Sequence, residues 1–126
     1  VRKTIEISVG GAVVEGELND GQTATLIWEA LPIEGSANRW GEEIYFSIPV
    51  ETALDDTAHD VVERGALGYW PQGRALCIFF GPTPASQGNE IRPASPVNVV
   101  GAIRGDLQIF KEVTKGMTVQ LQRSAK

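Results

Sequence analysis

Cysteine and histidine each occur once in the 126 residues, as Cys77 and His59, so no intrachain disulfide can form and a zinc site of the usual cysteine and histidine composition has too few ligands. Cys77 sits inside the apolar run Arg74-Ala75-Leu76-Cys77-Ile78-Phe79-Phe80, where it reads as a small packed hydrophobe rather than a nucleophile. Basic residues are in the minority, 11 against 16 acidic ones for a net charge of -5. The phosphate attraction behind most nucleic-acid affinity is therefore missing, and nucleic acid is not an expected partner. No apolar run approaches the roughly 18–20 residues of a membrane helix, and no signal-peptide core follows Val1-Arg2-Lys3-Thr4. The expectation is a soluble, cytoplasmic protein with no membrane partner. Neither G-x-G-x-x-G after a strand nor G-x-x-x-x-G-K-[ST] occurs, so no nucleotide or other cofactor is expected. The carboxylates Asp55, Asp56, Asp60 and Glu63 read as a solvated surface rather than a metal site.

What the chain does have is 42% apolar residues, fourteen glycines and a length suited to one domain over residues 1–126 with a single hydrophobic core. Lys3 to Val9 alternates apolar with polar residues, Gly10-Gly11 supplies a turn, and Ala12 to Leu18 returns as a partner strand. Residues 22–31 carry Thr23, Leu26, Ile27, Ala30 and Leu31 at helical spacing, behind a capping Asn19 or Asp20 and ahead of Pro32. Residues 35–41 read as a turn-rich loop, 42–48 as a strand, and 51–58 as an exposed, mobile acidic connection with at most a short helical turn. Two apolar strands, 65–70 and 75–80, flank the turn Pro71-Gln72-Gly73. A proline- and glycine-rich loop follows at 81–88, and strands at 96–103 and 117–122 complete the pattern. Many short strands, frequent glycine turns and one good helix favour an antiparallel barrel or sandwich over a parallel βαβ sheet.

The early hairpin followed by a helix, Gly65-Ala66-Leu67 leading to Ala75-Leu76-Cys77-Ile78-Phe79-Phe80, and Val97 to Asp106 resemble the cyclophilin fold. Asn38-Arg39-Trp40-Gly41-Glu42-Glu43-Ile44-Tyr45-Phe46, with Tyr69-Trp70-Pro71 and Phe80-Gly81-Pro82-Thr83-Pro84, is similar to the small prokaryotic cyclophilin-like family, whose function is largely uncharacterised. The resemblance implies a mainly β fold: a closed antiparallel barrel of about eight strands, with one main helix and possibly one short helix. Cyclophilin isomerases carry a phenylalanine-histidine-arginine motif, and its arginine contacts the prolyl amide. The best match here is Phe46-Ser47-Ile48, which has neither the histidine nor the arginine, and the insertion that shapes the proline pocket is reduced to Pro71-Gln72-Gly73. Amide rotation faces a barrier of about 18–20 kcal/mol, and catalysis requires the twisted state to be stabilised more than the planar one. Binding proline alone does not achieve that, so an atypical isomerase is an alternative to be tested, with Arg39, Arg74 or Arg92 as candidate replacements.

His59-Asp60 with Ser47, Ser86 or Ser95 forms a triad only on paper, because no nucleophile-elbow pattern accompanies it. Glu42 and Glu43 are adjacent on a strand and point to opposite faces, so they are no acid–base pair, while Glu43 shares a face with Tyr45 and Ser47. The candidate ligand-binding set is Arg39, Trp40, Tyr45, Trp70, Phe79, Thr83, Glu90, Arg92 and Asn98, large or charged residues near strand ends and loops. Arginine offers a forked donor and the rings offer apolar walls, which suits a small molecule or short peptide in a surface cleft. Packing of the rings in the core, with Arg39 or Arg92 paired to Glu43 or Glu90, is the alternative for the same residues. A structural or oligomerisation module is a third functional reading.

Overall fold

The structure is a computed structural model that describes residues 3–124. Alternation of buried and half-buried residues along β1 (Lys3–Val9) and β2 (Ala12–Leu18) produces the expected hairpin. Its turn needs positive φ at both Gly10 and Gly11, a backbone region that glycine enters without steric cost. After α1 (Gln22–Ala30) come β3 (Ile33–Ser36), β4 (Asn38–Arg39), β5 (Glu43–Ser47), β6 (Ala58–His59), β7 (Ala66–Trp70), β8 (Ala75–Phe79), β9 (Val97–Ile103) and β10 (Thr118–Arg123).

Every pairing is antiparallel, and nine strands run in the order β3-β10-β1-β2-β9-β7-β8-β5-β4, with β6 added to β9 off this path. The strands at the two ends, β3 and β4, are separated in sequence by Ala37 alone. Gly35 of β3 backs so closely onto β5 that a Cβ there would lie 2.8 Å from the Phe46 ring. The sheet thus curls into a nearly closed barrel, which leaves little open edge.

The wall has two apolar faces. Ile5, Ile7, Ile44, Phe46, Leu67, Tyr69, Leu76 and Ile78 point inward, joined by Ala24 and Ile27 of α1 and by Phe110. On the opposite face of β5, β7, β8 and β9 a smaller cluster gathers Ala66, Cys77, Phe79 and Val97 with Val62 and Ile91. The strand period of two assigns each residue to one face or the other. The segment between β8 and β9 lies over this outer cluster, held to the 58–65 segment by the Val62–Ile91 bridge.

Several local expectations are corrected. Residues 35–41 are not a simple loop: β3 pairs with β10, and Asn38 and Arg39 pair with Tyr45 and Ile44. The N-cap of α1 is Gly21 with no side-chain cap, because Asn19 Oδ1 accepts from Gly21 N instead. The helix stops at Ala30, and its buried residues are Thr23, Ala24 and Ile27. Beyond α1 the described residues carry two 3₁₀ segments, Pro71–Gly73 and Leu107–Glu112, the second started by Asp106 Oδ1 accepting from Gln108 N, while 51–58 holds no more than a turn in which Ala58 N donates to Asp55 O. That acidic connection is fastened: Asp55 N donates to Asn98 Oδ1, and Thr23 Oγ1 donates to Asp55 Oδ2. Among the described residues no helix is long and apolar enough to cross a membrane.

Candidate functional site

The outer face of the wall carries a cleft of about 200 Å³. Its first side comes from the tight turn between β4 and β5, where Trp40 N donates to Glu43 O and Glu43 N donates back to Trp40 O. Gly41, at φ 61, makes the turn possible, and a Cβ there would meet Pro84 and Thr83 at 2.8–3.0 Å. Trp40 and Glu43 therefore stand side by side at the entrance to β5.

Strand alternation then places Tyr45 on the face of Glu43, and pairing of Tyr45 with Cys77 brings the thiol to the same face. Trp70, at the end of β7, closes the far side. Its ring lies edge-on to Tyr45, with centroids 6.3 Å apart at 76°, and its indole N–H donates to Ser95 Oγ at 2.7 Å. Gly73 gives that ring its room, because a Cβ would lie 2.8 Å from it. Pro93 and Ala94 form the rim and Val97 part of the floor.

Within these apolar walls Glu43 is the one ionisable carboxylic acid. It is 5% exposed, and its Oε1 is buried with no hydrogen-bond partner. Burial raises its pKa from 4.5 to about 7, partly offset by a hydrogen bond with the Cys77 thiol. The same burial, together with the charge of Glu43, pushes the Cys77 thiol well above its ordinary value. Among the described residues no arginine, lysine or histidine lines the cleft and no ion pair involves Glu43.

Of the nine candidates read from the sequence, the fold brings Trp40, Tyr45 and Trp70 together here, and Phe79 is fully buried in the cluster beneath. The other five sit elsewhere in the architecture. Arg39 donates to the carbonyl oxygens of Gly41, Lys111 and Val113 and lies 5.0 Å over the Phe80 ring. Thr83 is buried in the segment after β8, donating from Oγ1 to Arg92 O and accepting from Ala85 N. Arg92 pairs with Glu90 at 2.7 Å and lies 3.8 Å from Asp60. That pairing holds the Glu90 carboxyl below its ordinary range. Asn98 is fully buried, donating to Thr23 Oγ1 and Ala53 O while accepting from Asp55 N.

Sequence reasoning missed Glu43, Cys77, Pro93, Ala94 and Val97 as lining residues. The shared face of Glu43 and Tyr45 was readable from strand period, and it was the one available signal. His59 is exposed, with Nδ1 beside Thr57 O, and Ser86 and Ser95 are engaged with Thr83 and Trp70; among the described residues no serine is hydrogen-bonded to its ring.

A family model described as cyclophilin-like matches residues 3–122. The solution structure of a hypothetical protein from Archaeoglobus fulgidus is similar over 98% of this chain and 96% of its own, at 41% identity and a TM-score of 0.82. No curated protein sequence matches significantly.

Proposed function

This chain belongs to the cyclophilin-like family, and from that premise we propose that it is a binding domain for a small molecule, held in the cleft between Trp40, Tyr45 and Trp70. The observation that carries this reading is the unpartnered Oε1 of the Glu43 carboxyl inside an otherwise apolar concavity. Buried polar atoms are nearly always hydrogen-bonded, and leaving one unsatisfied costs about 1–3 kcal/mol. A ligand that supplies the missing partner recovers that cost, and few polar groups among apolar walls are the usual make-up of a small-molecule site.

Liquid water occupies roughly 30 Å³ per molecule, so the cleft suits a ligand of modest size, or one side chain of a peptide. Isomerase chemistry has less support, because it needs a donor aimed at a twisting amide and among the described residues no guanidinium lines the cleft. The test is a screen of small metabolites read by two-dimensional NMR of the indole N–H groups. Ligands are expected to move the Trp40 and Trp70 signals saturably and leave Trp28, on α1, in place. A screen in which no compound moves the first two contradicts the proposal.

A further inference from the structure

The charge of the preferred ligand follows from what surrounds Glu43, and this inference rests on the reading of the cleft as a ligand site. We propose that the cleft selects a small organic cation bearing at least one N–H, a primary to tertiary ammonium, with its charge against the Glu43 carboxylate and its carbon atoms against Trp40, Tyr45 and Trp70.

Three independent features point the same way. Glu43 is 95% buried, yet among the described residues no cation pairs with it: the guanidinium of Arg92 is committed to Glu90 and Asp60, and that of Arg39 to main-chain oxygens beside Phe80. A buried carboxylate without a counter-charge is strongly disfavoured, so a cation that enters gains what the protein has left unsupplied. The walls are three electron-rich rings, two of them indoles, and ring faces and desolvated cations attract by about 2 kcal/mol or more. The whole chain carries a net charge of -5, which favours approach of cations over anions. An N–H is specified because Oε1 lacks a donor, which a quaternary ammonium cannot supply.

A neutral ligand would use the site differently, accepting a proton-mediated hydrogen bond from Glu43 in its acid form. Two ring compounds of equal shape separate the cases: piperidine, which is cationic at about pH 8, and tetrahydropyran, a neutral hydrogen-bond acceptor. Each is titrated into the intact protein while the Trp40 and Trp70 indole signals are followed, with Trp28 as the internal reference.

Piperidine is expected to bind at least about tenfold more tightly than tetrahydropyran, and Glu43→Gln is expected to remove that preference. Equal or tighter binding of tetrahydropyran overturns the cation inference while the cleft remains a ligand site. Unchanged piperidine affinity in a folded Glu43→Gln does the same. Failure of both compounds to move either indole at millimolar concentration overturns the cation inference, and the broader screen then decides separately whether the cleft binds anything. Should Glu43→Gln not fold, the two compounds compared on the unaltered protein decide the matter alone.

Discussion

Trp70 donates its indole N–H to the Ser95 hydroxyl at 2.7 Å, so the ring at the end of β7 is fastened to a segment 25 positions further along the chain. This bond ties Trp70 to the segment that carries the lining residues Pro93 and Ala94, and it fixes the ring that stands edge-on to Tyr45.

Ser95→Ala is expected to loosen Trp70 while leaving the barrel folded. One lost hydrogen bond costs about 1 kcal/mol, and the larger effect is expected on binding, with affinity for a cleft ligand falling several-fold. Chemical denaturation and indole NMR measure the two separately. Unaltered ring dynamics in this variant would contradict the positioning role.

Glu43 sets a pH dependence with a definite sign. Its folded pKa of about 7 exceeds its ordinary 4.5, so the folded protein holds this proton to higher pH than the unfolded chain does. The stabilising effect is present below about pH 4.5 and is lost as pH rises through about 7, reaching about 3 kcal/mol. Wild type is therefore expected to lose stability relative to Glu43→Gln between about pH 5 and pH 8. Parallel urea-melt stabilities for the two proteins across that range would refute it.

Asn98→Ala is expected to destabilise the fold by about 2–3 kcal/mol, because it removes the anchor for Asp55 N, Ala53 O and Thr23 Oγ1 at a fully buried position. Amide exchange should accelerate in residues 51–57 first. Piperidine affinity, measured where the variant is folded, should stay close to wild type.

Arg39→Ala and Trp40→Ala test whether neighbours in sequence serve separate ends. The arginine change removes hydrogen bonds to Gly41, Lys111 and Val113 and the contact with Phe80, at about 1 kcal/mol or more of stability, while taking no lining side chain out of the cleft. Trp40→Ala removes a cleft wall and is expected to weaken ligand affinity about tenfold with little change in melting. A thermal-shift series on both variants distinguishes them.

Where local pattern and tertiary pairing agree, the fold was legible. Alternation along Lys3–Val9, the paired glycines after it and the apolar runs at 66–70 and 75–79 announced their strands directly. Residues 35–39 did not, because Gly35, Ser36 and Asn38 lack strand propensity and owe their extended form to β10 and β5. The aromatic part of the cleft was visible as Trp40, Tyr45 and Trp70. The role of Glu43 was not, because the residues that share its cleft, Pro93 and Ala94 among them, come from about fifty positions away, a relationship that strand period cannot encode.

Because β5, β7 and β8 are lined with apolar side chains on both surfaces, the inner set can hold the barrel together while the outer set is altered. Replacing Tyr45 or Ala94 is expected to alter the proposed cleft and to leave the interior packing of Phe46, Leu76 and Ile78 in place. A wall built this way makes the domain a natural template for engineering new receptors, with selectivity tuned on one surface and folding secured on the other.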